Sequence, residues 1–287
     1  MSQNENHVVK QSSPLLAVNN LFVEYGSGSD TVSAVSDVSF DIDKGEVVGL
    51  VGESGSDKST VAQSMLGLLD QSNARTSGTI QFEGDNVFSY DARRWREVRG
   101  RRIGMIFQSP ESSFNPVATI GAQMVEALRC HTKLSNAEAR KEALASLNDV
   151  GMPRPEEIMH NYAFELSGGM CQRAALAMVM SLKPSLVLAD EPTASLDVVA
   201  QAELVRWLGK IQKERGFAML VISHDLNLIA RLADRLLVMH RGEVLERGEA
   251  QAVLNRPQHS YTKQLINAVP RLTEAEEAKP VCTGVGA

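Results

Sequence analysis

Residues 166–197 read LSGGMCQRAALAMVMSLKPSLVLADEPTASLD, and this stretch decides the fold. Within it, Leu186-Val187-Leu188-Ala189 is a short apolar run with the length and bounds of a buried strand. The strand delivers Asp190 and Glu191 to its C-terminal end, where open α/β sheets bind ligands. Two adjacent carboxylates there suit two tasks: one holds Mg²⁺ through its outer shell, and the other polarises a water. Upstream, Ser167-Gly168-Gly169 opens a helix, and two glycines at a helix N-terminus let backbone N–H groups approach a phosphate closely. An amphipathic helix followed by a core strand would explain the hydrophobic pattern. It would not explain SGG, the acidic pair and Ser195-Leu196-Asp197 in this order.

The same chemistry recurs near the N-terminus. Residues 52–60 read GESGSDKST, directly after the apolar run ending at Val51 and before a predicted helix from about Ser59 to Leu69. This strand–loop–helix context fits the phosphate-loop pattern G-x-x-x-x-G-K-[ST] at Gly52, Lys58 and Ser59. Backbone N–H groups of this loop would cradle phosphates, with Gly52, Glu53, Ser54, Gly55, Ser56, Asp57 and Thr60 among its ATP-binding residues; Lys58 would reach the β/γ oxygens and Ser59 would ligate Mg²⁺. The exception is Asp57, where the pattern wants glycine. A carboxylate about 5 Å from a phosphate charge repels it by roughly 3 kcal/mol at an effective dielectric of about 20. Its side chain also crowds a loop that needs close backbone approach, and Lys58 is free to pair with it instead of phosphate. The expectation is a loss of nucleotide affinity of about tenfold or more. The alternative is that Asp57 turns outward and binding survives.

The remaining chain bounds the answer. Its 287 residues suffice for one large domain or two small ones, and a net charge of −6 does not suggest a nucleic-acid partner. The three cysteines, Cys130, Cys171 and Cys282, lie far apart with no C-x-x-C pair, which argues against a zinc site or a disulfide framework. No apolar stretch approaches the ~20 residues needed to cross a bilayer. Residues 1–13 are polar and read as a disordered leader. Leu15 to Tyr25 and Val32 to Ile42 alternate as an antiparallel hairpin, and Gly78 to Val87 reads as a further hairpin arm. The segment DARRWREVRGRR, from Asp91, reads as a solvated basic helix or turn. Residues from about 116 to 165 change to Ala, Leu, Glu and Lys at helical spacing, with a start signal at Ser135-Asn136 and a stop at Gly151. Strands then resume at 186–189, 218–223 and 236–240 with helices between, which implies a largely parallel sheet covered on both faces.

Together LSGGM, LVLADEP, SLD and the phosphate loop resemble the signature motif, Walker B strand, D-loop and Walker A loop of ABC ATPases. The resemblance spans about residues 15 to 250. It implies a P-loop NTPase cassette of α/β class, with a RecA-like parallel core, an antiparallel β subdomain and a helical subdomain inserted at about 110–165. The expected organisation is a leader at 1–13, the ATPase domain at 14–250 and a short extension at 251–287. VGESGS, MIFQSPESSFNP, SHDL and the tail HSYTKQLINAVPRL narrow the match to ATPase subunits of dipeptide, oligopeptide and nickel importers. By that resemblance Glu191 is the general base, Asp190 the Mg²⁺ holder, and His224 the switch histidine at the γ-phosphate. Gln108 is the Q-loop glutamine that ligands Mg²⁺ or the attacking water, and Tyr25 the aromatic that stacks on adenine. Leu166, Ser167, Gly168, Gly169 and Met170 would complete the ATP site of a second subunit, and Ser195-Leu196-Asp197 would cross toward it.

The resemblance implies ATP and Mg²⁺, and a second ATPase subunit that is either a homologue or a second copy. It also implies two integral membrane subunits, fed by a solute-binding protein. The chain would be peripheral, on the cytoplasmic side of the membrane. Three departures carry expectations. Asp57 raises the alternative of a degenerate, non-catalytic subunit that completes a partner's ATP site; Glu191 and His224 argue against that. Cys171 stands where the family usually has arginine, so the signature helix would lose a cation near phosphate, with Arg173 remaining nearby. Cys282 alone cannot form the iron–sulfur cluster found in some relatives, so none is expected.

Overall fold

The computed structural model describes residues 13–26, 31–194 and 196–268. The predicted leader up to residue 12, Ser195, and the tail from residue 269, with Cys282, lie outside the described residues. In chain order the elements are β1 (Leu16–Tyr25), β2 (Val32–Ile42), β3 (Val47–Val51), α1 (Lys58–Met65), β4 (Ala74–Phe82), β5 (Asp85–Asn86) and α2 (Ala92–Val98). They continue with β6 (Ile103–Ile106), α3 (Ile120–His131), α4 (Asn136–Asp149), α5 (Pro155–Ile158), α6 (Gly168–Ser181), β7 (Leu186–Asp190) and α7 (Val198–Arg215). The chain closes with β8 (Ala218–Ser223), α8 (Leu226–Leu232), β9 (Arg235–His240), β10 (Glu243–Glu249), α9 (Ala250–Asn255) and α10 (Ser260–Asn267).

Two sheets organise these elements. The larger has six strands in the order β10-β9-β3-β8-β7-β6, parallel except for β10, which runs antiparallel to β9. The smaller has four antiparallel strands in the order β2-β1-β4-β5. Every residue of β3, β7 and β8 is buried. The period-two geometry of a strand splits those residues between two cores. Leu186, Leu188, Leu220 and Ile222 face α1 and the four-stranded sheet, whereas Val187, Ala189, Met219 and Val221 face the layer of α6, α7 and α8. A sheet covered on both faces requires unbroken apolar strands, which is why LVLA and AMLVI read as continuous runs.

The helices of the middle segment have local causes. α4 starts with a capping box in which Ser135 and Glu138 exchange side-chain and backbone hydrogen bonds, and Gly151 follows its end at φ +67°. Two boundaries differ from the sequence reading. The arm expected over 78–87 is two strands, β4 and β5, joined at Glu83-Gly84, both with positive φ. Helix α1 stops at Met65, short of Leu69, because Gly67 takes φ +58° and a Cβ there would lie 2.6 Å from Trp95. The basic segment forms α2, and its end is anchored: the Arg99 guanidinium donates to the carbonyls of Leu66 and Gly67 at 2.9 Å and covers the Trp95 ring. It satisfies carbonyls left open at the end of α1.

Candidate functional site

The strand order puts the ends of β3, β8 and β7 side by side, so the segments leaving them share one rim of the sheet. From β3 leaves the loop 52–57. Gly52 is obligatory there, since a Cβ would sit 2.1 Å from the Met239 carbonyl oxygen. Lys58, only 7 % exposed, folds back on this loop. Its Nζ donates to the carbonyls of Gly52 and Glu53, each at 2.8 Å, and to Ser56 Oγ at 3.2 Å. Burial lowers the Lys58 pKa, against the pull of Glu191, Asp190, Asp57 and Glu53. The ammonium therefore lies within the field of the acidic pair before any phosphate arrives.

Asp57 does not capture Lys58, contrary to one expectation. It precedes α1 at φ 65°, ψ 26°, half-buried, and its Oδ1 accepts from the Thr60 hydroxyl at 3.2 Å. That backbone region is where glycine is least strained; Asp is among the few other residues that visit it. The glycine that the motif wants at 57 thus has a conformational reason as well as a steric one.

Asp190 ends β7 and is 5 % exposed, with a buried Oδ1 that has no hydrogen-bond partner. Burial raises its pKa; the Ser59 hydroxyl and Lys58 pull it down, and Glu191 adds to the rise. Glu191 sits at φ 47°, and its Oε1 accepts the His224 backbone N–H at 3.0 Å and lies 2.8 Å from His224 Nδ1. Ser223 Oγ donates to Glu191 Oε2 at 3.3 Å. The Glu191 side chain is 11 % exposed, whereas that of His224 is 63 % exposed. A nearly buried carboxylate is thus locked by a residue whose ring opens to solvent. With Nδ1–H donating to Glu191, Nε2 faces outward as an acceptor; an imidazolium would donate from both nitrogens.

The other predicted positions are spread around this centre. Gln108 is exposed on the loop after β6, the strand beside β7. Tyr25 ends β1, half-buried against the core between the two sheets. Ser167 caps α6 by accepting the Met170 N–H at 3.3 Å, leaving Gly168 and Gly169 in the first turn. Leu166 is buried beneath them. Among the described residues, no hydrogen bond or ion pair joins 166–170 to 52–60. Asp197 has a local task, accepting the N–H groups of Val199 and Ala200 to cap α7, with Leu196 half-buried beside it and Val198 and Val199 openly exposed.

Two expectations about α6 need correction. Cys171 is fully buried and its thiol donates to the Ala163 carbonyl at 3.2 Å, so position 171 faces the core and not a phosphate. Arg173 offers no spare cation either: it donates to the carbonyls of Val150 and Gly151 and pairs with Glu203 at 2.7 Å. It ties α6 to the end of α4 and to α7. Sequence reasoning missed one residue of the site altogether. Tyr261, from α10, accepts a hydrogen bond from the Glu53 N–H at 3.2 Å. The tail HSYTKQL was legible as a motif, but nothing in it announces a contact 208 residues away.

Comparison with known proteins agrees with this fold. A family model described as "ABC transporter" matches residues 35–194, and one described as "Oligopeptide/dipeptide transporter, C-terminal region" matches residues 245–283. The chain is 44 % identical over 271 residues to the peptidoglycan transport ATP-binding protein YejF of Agrobacterium fabrum, covering 93 % of this chain and half of that protein's length. It is 42 % identical over 259 residues to the dipeptide transport ATP-binding protein DppD of Bacillus subtilis, covering 90 % of this chain and 77 % of the relative. Among solved structures it resembles the ATP-binding cassette MJ0796, a dimer in a post-hydrolysis state bound to ADP and Pi. The TM-score is 0.74 at 26 % identity, over 82 % of this chain and 98 % of that one.

Proposed function

This chain belongs to the ABC transporter family, and we propose that it is the ATP-binding, ATP-hydrolysing subunit of a peptide importer. One observation carries the catalytic part: three neighbouring strand ends bring together Lys58, the Ser59–Asp190 pair and the Glu191–His224 pair. The peptide part is supported by the names of the relatives and by the C-terminal region that matches the oligopeptide/dipeptide family. The domain reading remains an ATPase domain at 14–250, a helical insertion at about 110–165 and an extension from 251.

In this reading the loop 52–60 wraps the ATP phosphates, and Lys58 leaves its own carbonyls for the β/γ oxygens. Tyr25 provides the adenine platform. The donor set fits a hard divalent cation: the Ser59 hydroxyl would be an oxygen ligand and the partnerless Oδ1 of Asp190 would hold the outer shell, with Gln108 on the adjoining loop. Bound there, Mg²⁺ would neutralise charge shared by the β- and γ-phosphates. Glu191 accepts a proton from the attacking water, and the contacts from His224 and Ser223 fix its orientation. His224 turns its exposed ring edge to the γ-phosphate.

The signature 166–170 is separate from the chain's own phosphate loop, which is why the reading includes a second ATPase subunit, with Leu196 and Asp197 near the junction. Among the described residues no helix is long and apolar enough to cross a membrane. The proposal also includes two integral membrane subunits, with the chain peripheral on their cytoplasmic side, as membership of the family implies. The test is ATP hydrolysis by the chain assembled with membrane subunits, against Glu191→Gln. We expect a loss of about 100-fold or more with ATP still bound, the range for removing a general base. Unchanged hydrolysis would remove Glu191 from the mechanism.

A second reading is favoured by Asp57. Its carboxylate is half-buried at the start of α1 and acts electrostatically on Lys58. In this reading the chain binds ATP weakly on its own loop and serves mainly by lending its signature to a partner's site. Mg·ATP binding by the unmodified chain separates the two readings.

A further inference from the structure

The phosphate loop is held from outside by the segment that follows the sheet. After β10 the chain forms α9, turns at Arg256–His259, and enters α10. The turn is pinned to β10, since the Glu246 carboxylate accepts the backbone N–H groups of Gln258 at 2.7 Å and His259 at 3.0 Å. His259 then caps α10, its Nδ1 accepting the Tyr261 N–H at 3.1 Å. These anchors place the Tyr261 ring against the His240 ring at the end of β9, with centroids 4.1 Å apart. Tyr261 is 8 % exposed there.

From that position the hydroxyl reaches one peptide group. Glu53 N–H donates to Tyr261 Oη at 3.2 Å, and the carbonyl of the same peptide, Gly52 O, accepts Lys58 Nζ at 2.8 Å. A peptide group is planar and trans, so its N–H and C=O point in opposite directions. Holding the N–H on Tyr261 fixes the direction of that carbonyl, on which Lys58 rests. The neighbouring space is closed as well, because Gly52 lies against the Met239 carbonyl. One peptide plane of the loop is thus clamped between its own lysine and a tyrosine of the C-terminal extension.

We propose that Tyr261 is a positioning residue for nucleotide binding: its hydroxyl presets the Gly52–Glu53 peptide and thereby the backbone of the phosphate loop. The inference rests on the reading of residues 52–60 as the phosphate site. It gives the C-terminal extension a task inside the ATPase centre, through the packed ring and the one hydroxyl.

The test compares Tyr261→Phe and Tyr261→Ala with the unmodified full chain, each with and without Asp57→Gly, by equilibrium binding of Mg·ATP and by amide hydrogen exchange at Glu53. Tyr261→Phe keeps the ring and removes only the hydroxyl. We expect its Kd for Mg·ATP to rise about threefold to tenfold, the range for one hydrogen bond. Exchange at Glu53 should accelerate while Tm stays within about 2 °C. Tyr261→Ala should also lower Tm, because it strips the packing against His240. If Tyr261→Phe matches the unmodified chain in both Kd and Glu53 exchange and only Tyr261→Ala is impaired, Tyr261 is merely a packing residue and the inference is overturned. If neither the unmodified chain nor its Asp57→Gly form binds Mg·ATP, the phosphate-site reading falls and takes this one with it.

Discussion

The loop after β3 and the strand ends of β7 and β8 meet on one rim of the sheet, yet they are in opposite electrostatic conditions. The loop is self-satisfied. Lys58 rests on its own carbonyls, and Asp57 is engaged by Thr60. The strand ends are not, because Asp190 keeps a buried oxygen without a partner and its pKa is raised by burial. One half of the site has to be opened by its ligand. The other is left short of a positive charge, and a cation relieves it. The difference places the cost of binding in the loop and the gain at the acidic pair.

The comparison can be broken most severely at Asp190. Asp190→Asn should cut Mg²⁺-dependent hydrolysis by about 100-fold or more, because the outer shell of the cation would lose its charged holder. The same substitution should stabilise the free chain. A carboxylate whose folded pKa lies above its unfolded value binds protons more tightly when folded. Its ionisation therefore costs stability at pH above the folded pKa, and that cost fades as pH falls toward the ordinary carboxylate range. Denaturant unfolding at neutral pH should show Asp190→Asn more stable than the unmodified chain, with the difference shrinking on acidification. A destabilised variant at neutral pH would show that Asp190 is not under strain in the free protein.

Within the loop the effects are smaller and depend on position. Gly52→Ala puts a methyl 2.1 Å from the Met239 carbonyl and should cost about 2–3 kcal/mol in denaturant unfolding. Gly55→Ala meets no neighbouring atom and bears only the strain of φ +80°, about 1 kcal/mol. Equal costs at the two positions would deny that the loop is pressed against β9. The smallest effect is expected from Thr60→Val, which frees the Asp57 carboxylate from its hydroxyl partner. Calorimetric titration should find Mg·ATP affinity about twofold to threefold lower, on the scale of one weak hydrogen bond.

Much of this architecture was legible in the sequence because burial on both faces leaves a plain mark. LVLA and AMLVI could be read as strands without knowing what covered them. Glu191, Asp190 and Lys58 were legible as types at fixed offsets from those strands. What was lost needed the third dimension. The early end of α1 depends on Trp95 and Arg99, about thirty residues away. The misreading of Cys171 was avoidable, since Cys171, Ala174 and Ala177 form a buried stripe at helical spacing, facing the core. Arg173 lies off that stripe, and only the folded chain shows that Glu203 and two carbonyls already occupy it. Tyr261 was beyond reach, because its partner is a backbone N–H and backbone groups carry no sequence signature.

The most direct measurement is equilibrium binding of Mg·ATP to the unmodified chain beside Asp57→Gly. The substitution removes a charge from the phosphate loop and replaces a non-glycine residue at φ 65°. If the loop is where the cost of binding lies, Asp57→Gly should bind about tenfold or more tightly than the unmodified chain. Equal affinities would contradict the account: Asp57 would then be harmless, and the chain would stand as an ordinary ATPase with Glu191 as its base.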